Sequence, residues 1–557
     1  MGFLKFLRSH AKKETKNIGI FVQELKPEYK IIEEYWVQEP FAKVFIVTSP
    51  ELGVGHHYFV QEVKLNPEEK EAHRKLVDIL SKELQAPESL DVDAASYVLS
   101  ETKRIAIKYK RSLKRFDEKS LEKIFYYVVR DLAGYGELNT VIMDPNIEDV
   151  SCNGLDNPIY VWHRKYESIP TNIKFTDELF YDNFILKLAH FSGKHISSAT
   201  PMLDAMLPEK HRLACTFMRE VSTRGSTFCV RKFRPDPFSI IDLINLGTLD
   251  AKLAAYLWLL LENKMNLMII GGTGAGKTSM LNALSSLLSP NDKIITVEEV
   301  AELNPPHQNW VQLVSRKGFR FGSTDTTSIS LFDLVKLSLR YRPDYIVVGE
   351  IRGEEAYVLF QAVATGHGGL CTMHADSIDH AIKRLTSPPM NVAEIYVPLM
   401  NVGIYVARVD LPKKAGGAAF GRRVRDVWEI VDYGKYNHLS TWIPSQDVLQ
   451  SDFKNSFLLE KIAEKRGVSK DDLLREIQNR EKILNEMVKN NIRDQREVAQ
   501  TIMKYYEKKQ MKIAIEKPSK IHEALEETEE KEEEGELLVE IAQKAVQEFL
   551  RKKPQKS

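Results

Sequence analysis

The stretch NLMIIGGTGAGKTSMLNALSSLL, residues 266–288, decides the fold of this chain. It opens with an apolar run of strand length, turns on glycines, and continues with apolar residues at i, i+3 and i+4 spacing. That order predicts a buried strand, a tight loop and a helix with one apolar stripe. Within it, Gly271, Gly276, Lys277 and Thr278 satisfy G-x-x-x-x-G-K-[ST]. Such glycines let successive backbone N–H groups converge on an anion, to which a helix start adds its positive end. Gly271, Gly272, Thr273, Gly274, Ala275, Gly276, Lys277, Thr278 and Ser279 are therefore candidates for a nucleotide phosphate cradle, with Lys277 on the β- and γ-phosphates and the Thr278 hydroxyl on Mg²⁺.

Working outward, a phosphate cradle needs a group to orient water and a second contact to the metal. KIITVEEVAEL (293–303) reads as a strand followed by Glu298, Glu299 and Glu302. YRPDYIVVGEIRG (341–353) is a helix stop at Pro343, a buried strand, and Glu350 at its tip. GHGGLCTMHA (366–375) ends a helix, turns on glycines and runs through an apolar strand to His374. A lone glutamate after a strand is ordinarily a solvated helix start. Here two strand tips deliver acids to one end of a sheet, where ligands of open parallel sheets sit. Short apolar strands alternating with helices predict an α/β doubly wound domain.

The chain has 557 residues, 43% apolar and 28% charged, which suits several soluble globular domains. The longest apolar runs are far below the ~18–20 residues needed to cross a bilayer, so no transmembrane segment is expected. The N-terminus MGFLKFLRSHAKK reads as a frayed helix, with membrane-surface contact as the second reading. Lys plus Arg and Asp plus Glu are both 78, which leaves no global basic field and no expected nucleic-acid partner. The four cysteines lack any C-x-x-C pair and read as small core residues of a reduced, cytoplasmic protein.

Composition shifts divide the chain into an accessory region (1–120), a small α/β domain (121–233), a linker (234–240) at RPDPF, the phosphate-loop domain (241–445), and a charged helical extension (446–557). In the small domain, alternation along STFCVRKF (226–233) sets Val230 and Arg231 on opposite faces. The extension holds an acidic run at 522–536 and an amphipathic final segment at 537–553.

Taken in order, GGTGAGKTS, ITVEEVAEL, LRYRPDYIVVGEIRGEEA and TGHGGLCTMHA resemble the Walker A, Asp-box, Walker B and His-box of the type II/type IV secretion ATPase superfamily, and archaeal members most. The resemblance spans roughly 130 to 445. It implies a RecA-like P-loop ATPase domain preceded by a smaller α/β domain, and a homo-hexamer using ATP and Mg²⁺. It further implies docking on a polytopic membrane platform protein of a pilus, archaellum or secretion system, at the inner face of the membrane. Position by position, Glu302 becomes the water-activating residue, Glu350 the Walker B acid, Glu298 and Glu299 helpers in holding the metal and its waters, and His367 and His374 the His-box pair. Arg212, Arg224 and Arg231 become candidates for arginines of the preceding domain that meet the phosphates. The chain departs from the pattern by lacking the tetracysteine zinc element of bacterial type II members, and by carrying Glu299 where an aspartate is usual.

Two other readings stand beside this one. A conjugation-type relative powering DNA or effector transfer is separated by salt-dependent DNA binding. A nucleotide-gated scaffold without turnover is opposed by the intact Lys277, Glu302 and Glu350.

Overall fold

The computed structural model describes residues 19–85, 93–109, 116–233, 237–316, 328–412, 420–507 and 509. The chain divides into two compact units, Met1–Pro235 and Asp236–Ser557. The acidic run and the final amphipathic segment expected near the C-terminus lie outside the described residues.

The first unit is one 10-stranded sheet with helices. Its strands are β1 (Ile20–Val22), β2 (Lys30–Gln38), β3 (Ala42–Thr48), β4 (His57–Glu62), β5 (Ile147–Cys152), β6 (Pro158–His163), β7 (Glu167–Phe175), β8 (Met202–Met206), β9 (Arg212–Thr216) and β10 (Thr227–Arg231). The order is β2-β3-β4-β7-β6-β5-β10-β9-β8, with β1 also on β7. Alternating burial along β6 and β10 follows from one face packing on the core, and it puts Val230 in and Arg231 out. The same alternation exposes Cys229, which corrects its reading as a core residue. Helices α1 (Pro67–Glu83), α2 (Ala94–Lys108) and α3 (Glu118–Leu132) start on Asn66, Asp93 and Asp117 caps and share a core of Leu76, Leu80, Val98, Ile105, Ile124 and Val128.

A boundary at residue 120 does not separate two bodies. Strand β4 pairs with β7 at Tyr58↔Thr171, β1 pairs with β7 at Ile20↔Phe175, and buried Asp144 accepts hydrogen bonds from the hydroxyls of Tyr35 and Tyr58, both at 2.7 Å. Long-range pairing of this kind satisfies strand edges that composition alone leaves open.

The second unit has a 9-stranded sheet in the order β13-β12-β14-β15-β11-β16-β17-β18-β19. Its strands are β11 (Leu267–Gly271), β12 (Ile294–Glu298), β13 (Trp310–Val314), β14 (Tyr345–Val348), β15 (Gly368–His374), β16 (Val402–Asp410), β17 (Phe420–Asp432), β18 (Lys435–Ile443) and β19 (Val448–Ser451). From β13 through β16 every pairing is parallel, and from β16 to β19 every pairing is antiparallel. Residues alternate between two helical layers. Leu267 and Ile269 join α4 (Ala251–Glu262) and α5 (Lys277–Ser285) on one side. Met268 and Ile270 join α6 (Leu331–Ser338), α7 (Glu355–Ala364) and α8 (Ile378–Thr386) on the other. Burial on both faces explains the unbroken apolar runs of the parallel strands.

The expected boundary at 445 falls inside this sheet, because β19 continues it by pairing with β18. Beyond it, α9 (Phe457–Arg466) and α10 (Lys470–Lys489) share the core of α4. Fully buried Glu429 accepts from the Tyr256 hydroxyl at 2.7 Å and from the Phe457 and Leu458 N–H groups that begin α9. Arg480, also fully buried, stacks 4.7 Å from the Trp258 ring and pairs with Glu262. Burial opposes ionisation of Glu262, yet Arg480 and Lys509, whose Nζ lies 2.9 Å from it, hold its carboxyl down at about 2. Residues 457–507 are thus part of the second unit's core. The fold is α/β: a RecA-like P-loop domain preceded by an α/β unit and extended by C-terminal helices.

Candidate functional site

Parallel strands that start level end level, so register brings their tips together. Gly271 pairs with His374, Val297 with Val348, and Val348 with Cys371. The loop after β11 is built by its glycines. A Cβ on Gly271 would lie 2.3 Å from the Val406 carbonyl oxygen, while Gly274 and Gly276 sit at φ +69° and +92°, where side chains are strained. Gly276 is also the N-cap of α5, and no side chain caps that helix. By contrast Ser239, Asp250, Ser330, Ser377, Ser456 and Ser469 each cap a helix of the same unit. A helix start flanked by left-handed glycines and left without a side-chain acceptor is suited to an anion.

Lys277 is only 8% exposed. Its Nζ donates to the Gly272 carbonyl at 2.9 Å and lies 3.3 Å from each ring nitrogen of His374. Burial lowers its pKa, against the pull of Glu350. His374 Nε2 stands 3.4 Å from Glu350 Oε1, and Arg384 donates to the His374 carbonyl. Burial and the Lys277 ammonium favour the neutral imidazole. Lys277, His374 and Glu350 therefore form one group at adjacent strand tips. Thr372 Oγ1 donates to the Gly349 carbonyl at 2.6 Å, which fixes the backbone just before Glu350.

The three acids after β12 separate by role. Glu298 is 2% exposed, and its Oε2 accepts the Glu302 and Leu303 N–H groups at 2.7 and 2.8 Å while Oε1 accepts Gln312 Nε2 at 3.1 Å. Burial pushes its pKa up to about 7, opposed by those three donors. With both oxygens so engaged, Glu298 holds the turn that carries Glu302. Glu299, half-buried, pairs with Arg352 from the tip of β14. Glu302 follows on the anchored turn, also half-buried. Thr278 and Ser279 lie half-buried in the first turn of α5.

His367 is not part of this group. It precedes β15, seven residues before His374, which is about 20 Å along an extended strand. Its Nδ1 lies 3.1 Å from the Ala362 carbonyl, so it closes the end of α7. The three arginines all belong to the first unit. Arg212 makes a two-pronged pair with Asp204 at 3.1 and 3.0 Å, and Arg231 Nε meets Asp149 at 3.1 Å. Arg224 is exposed on the β9–β10 loop.

Among the contacts that sequence reasoning missed, two involve arginines beside the loop and its acids. Arg352 binds Glu299 as described, and Arg422 on β17 donates from Nε to the Gly274 carbonyl at 3.0 Å. The signals were present as the R of GEIR and the first basic residue pair of GRRVRD, but neither spacing names a partner. Among the described residues no three or more His, Cys, Asp or Glu form a ready-made metal cage. Mg²⁺ is held by few protein oxygens together with phosphates and waters, and the Thr278 hydroxyl and Glu350 carboxylate are oxygens of that kind. Among the described residues no helix is long and apolar enough to cross a membrane.

Residues 136–409 match the family model described as type II/IV secretion system protein. The uncharacterized protein MJ0900 of Methanocaldococcus jannaschii is 37% identical over 396 residues, 70% of each chain. The conjugal transfer protein TrbB of Rhizobium radiobacter is 31% identical over 259 residues, 46% of this chain and 75% of TrbB. The crystal structure of the VirB11 ATPase from the Brucella suis type IV secretion system aligns with TM-score 0.26 and 23% identity over 52% of this chain and 90% of VirB11. With its family motifs in order on the strand tips of a RecA-like sheet, the chain belongs to the type II/IV secretion system ATPase family.

Proposed function

We propose that this chain hydrolyses ATP as a homo-hexameric motor and drives assembly of a type IV pilus-like filament or archaellum, or type II-like secretion, through a polytopic membrane platform protein. One observation carries the reading: buried Lys277 lies within 3.3 Å of the His374 ring, and His374 within 3.4 Å of Glu350, beside an uncapped helix start. A buried ammonium resting on a loop carbonyl is poised to exchange that carbonyl for a phosphate oxygen.

The roles follow from position. The N–H groups of Gly272 to Ser279 and Lys277 bind the polyphosphate. Thr278 and Glu350 would hold Mg²⁺, joined by Glu299 once it leaves Arg352, and the ion would supply charge neutralisation at the phosphates. Glu302, fixed through the backbone by Glu298, orients and deprotonates the attacking water. His374 follows the γ-phosphate through its contacts with Lys277 and Glu350. Arg212, Arg224 and Arg231 are the arginines proposed to meet the phosphates in the assembled ring, for which Arg212 and Arg231 leave their acid partners. The motor works at the cytoplasmic face of the membrane. A conjugation-type role is the second reading, supported by the likeness to TrbB and opposed by the balanced charge of 78 against 78.

The test is phosphate release from ATP by the purified chain, measured against protein concentration. Activity is expected to rise more than proportionally with concentration, alongside a hexameric mass in ATP. Adding excess Arg212→Ala, Arg224→Ala, Arg231→Ala triple variant should lower it below simple dilution. Strict additivity with a monomeric mass would overturn the ring, and no phosphate release would overturn the enzyme. Salt-dependent DNA binding at physiological ionic strength would shift the reading to conjugation.

A further inference from the structure

The phosphate loop has an outer wall that the four family motifs do not include. Strand β16 runs beside β11 and β17 beside β16, and their residues close over the loop from two sides. The Val406 carbonyl lies beneath Gly271, where a Cβ would come within 2.3 Å of it. Arg422 covers the other side: its Nε donates to the Gly274 carbonyl at 3.0 Å, and its Cδ lies 3.1 Å from where a Cβ on Gly276 would stand. Arg408 is the register partner of Arg422 across β16 and β17, so both guanidinium groups leave the same face of the strand pair. Arg408 is braced by its stack 4.0 Å from the Phe420 ring.

We propose that Arg422 is a positioning residue that presets the phosphate loop for the nucleotide, with Arg408 strengthening the positive field at the same flank. This rests on the reading of residues 271–279 as the phosphate cradle. The physical case begins with the glycines. Gly274 and Gly276 hold left-handed backbone, and glycine loses more conformational freedom on ordering than any other residue. A loop left to itself bears that cost when ligand arrives. One fixed by a charge-assisted hydrogen bond from Arg422 to the Gly274 carbonyl has borne it during folding, which is preorganisation. The two arginines also add cationic charge where a polyphosphate enters. Both effects act on the phosphates common to ATP and ADP. Binding of the two nucleotides therefore changes together, while groups acting on the reacting bond keep their places.

The experiment compares wild type, Arg422→Met, Arg422→Lys, Arg408→Met and Lys277→Ala by direct titration with fluorescent ADP and a non-hydrolysable ATP analogue. Arg422→Met keeps the packing on Gly276 and removes the donor and the charge. It should raise the Kd for both nucleotides by roughly five- to tenfold, the size of one net hydrogen bond. kcat/KM should fall by a similar factor, carried by KM. Arg422→Lys should recover to within about threefold of wild type, and Arg408→Met should lie between wild type and Arg422→Met, since a distant charge acts through its field alone. Thermal melting is read in each variant with and without ADP, so a change in the fold shows in the nucleotide-free value while the increment on adding ADP carries the test. An unchanged Kd and ADP increment in Arg422→Met overturns the inference, as does a fall confined to kcat. If Lys277→Ala also binds like wild type, the phosphate-cradle reading itself fails. If Lys277→Ala loses binding and Arg422→Met does not, only the role of Arg422 fails.

Discussion

At the amino-terminal ends of the parallel strands in the second unit, polar groups meet partners that the backbone fixes. Asn266 accepts from Gly369 N–H at 2.6 Å and donates to the Leu399 carbonyl at 2.7 Å, and Asp344 accepts from Lys293 N–H at 2.9 Å and Lys264 Nζ at 2.6 Å. The Tyr345 hydroxyl donates to the Leu261 carbonyl at 2.6 Å, and His367 closes a helix. At the carboxyl-terminal ends of the same strands the partners are exchangeable. Lys277 rests on a loop carbonyl, His374 stands between a cation and a carboxylate, and Arg352 and Glu299 are paired near the surface. The difference teaches how to tell architecture from a site within one sheet. Polar groups closed by short bonds to backbone hold the fold, whereas charged groups gathered with long or easily exchanged contacts are available to a ligand.

The strongest way to sharpen this contrast is Glu302→Gln. The hydrogen bond from residue 302 to Glu298 uses its backbone N–H, so the amide leaves the turn intact and removes only the proton acceptor. Hydrolysis should slow by roughly two to four orders of magnitude while ATP stays bound, measured as phosphate release beside retained radiolabelled ATP. A loss of binding would sink the assignment of Glu302.

A smaller effect comes from the two histidines. His374→Ala should cut turnover about tenfold or more, because it removes the group between Lys277 and Glu350. His367→Ala should leave turnover within about twofold and lower stability by about 1 kcal/mol, the worth of one helix-closing hydrogen bond. Steady-state kinetics with thermal melting reads both, and the reverse ranking would break the comparison between the ends.

What was legible in the sequence was local. The loop proposed as the phosphate cradle, Gly271 to Ser279, is nine consecutive residues, and Glu350 and His374 follow apolar runs that read as strands. His367 and His374 share one motif, yet seven residues of extended strand carry them to opposite ends of the sheet, a separation that the motif does not state. Glu298 and Glu299 look alike in sequence, but one is buried into its own turn and the other reaches Arg352. Arg422 and the Gly274 carbonyl are 148 residues apart, a pairing that only the β16–β17 register makes. The boundary at 120 failed for the same reason, since Val60 N–H meets the Asn172 side chain 112 residues away.

The most direct test of the account is the affinity for ATP of two lysine variants, one at each end of the sheet. Lys277→Ala should weaken binding by about a hundredfold or more, because a buried phosphate loses its charged donor. Lys264→Ala, which removes the exposed partner of Asp344, should bind within about twofold of wild type. Equal loss in the two variants, or wild-type affinity in Lys277→Ala, would contradict the claim that the carboxyl-terminal strand tips form the nucleotide site.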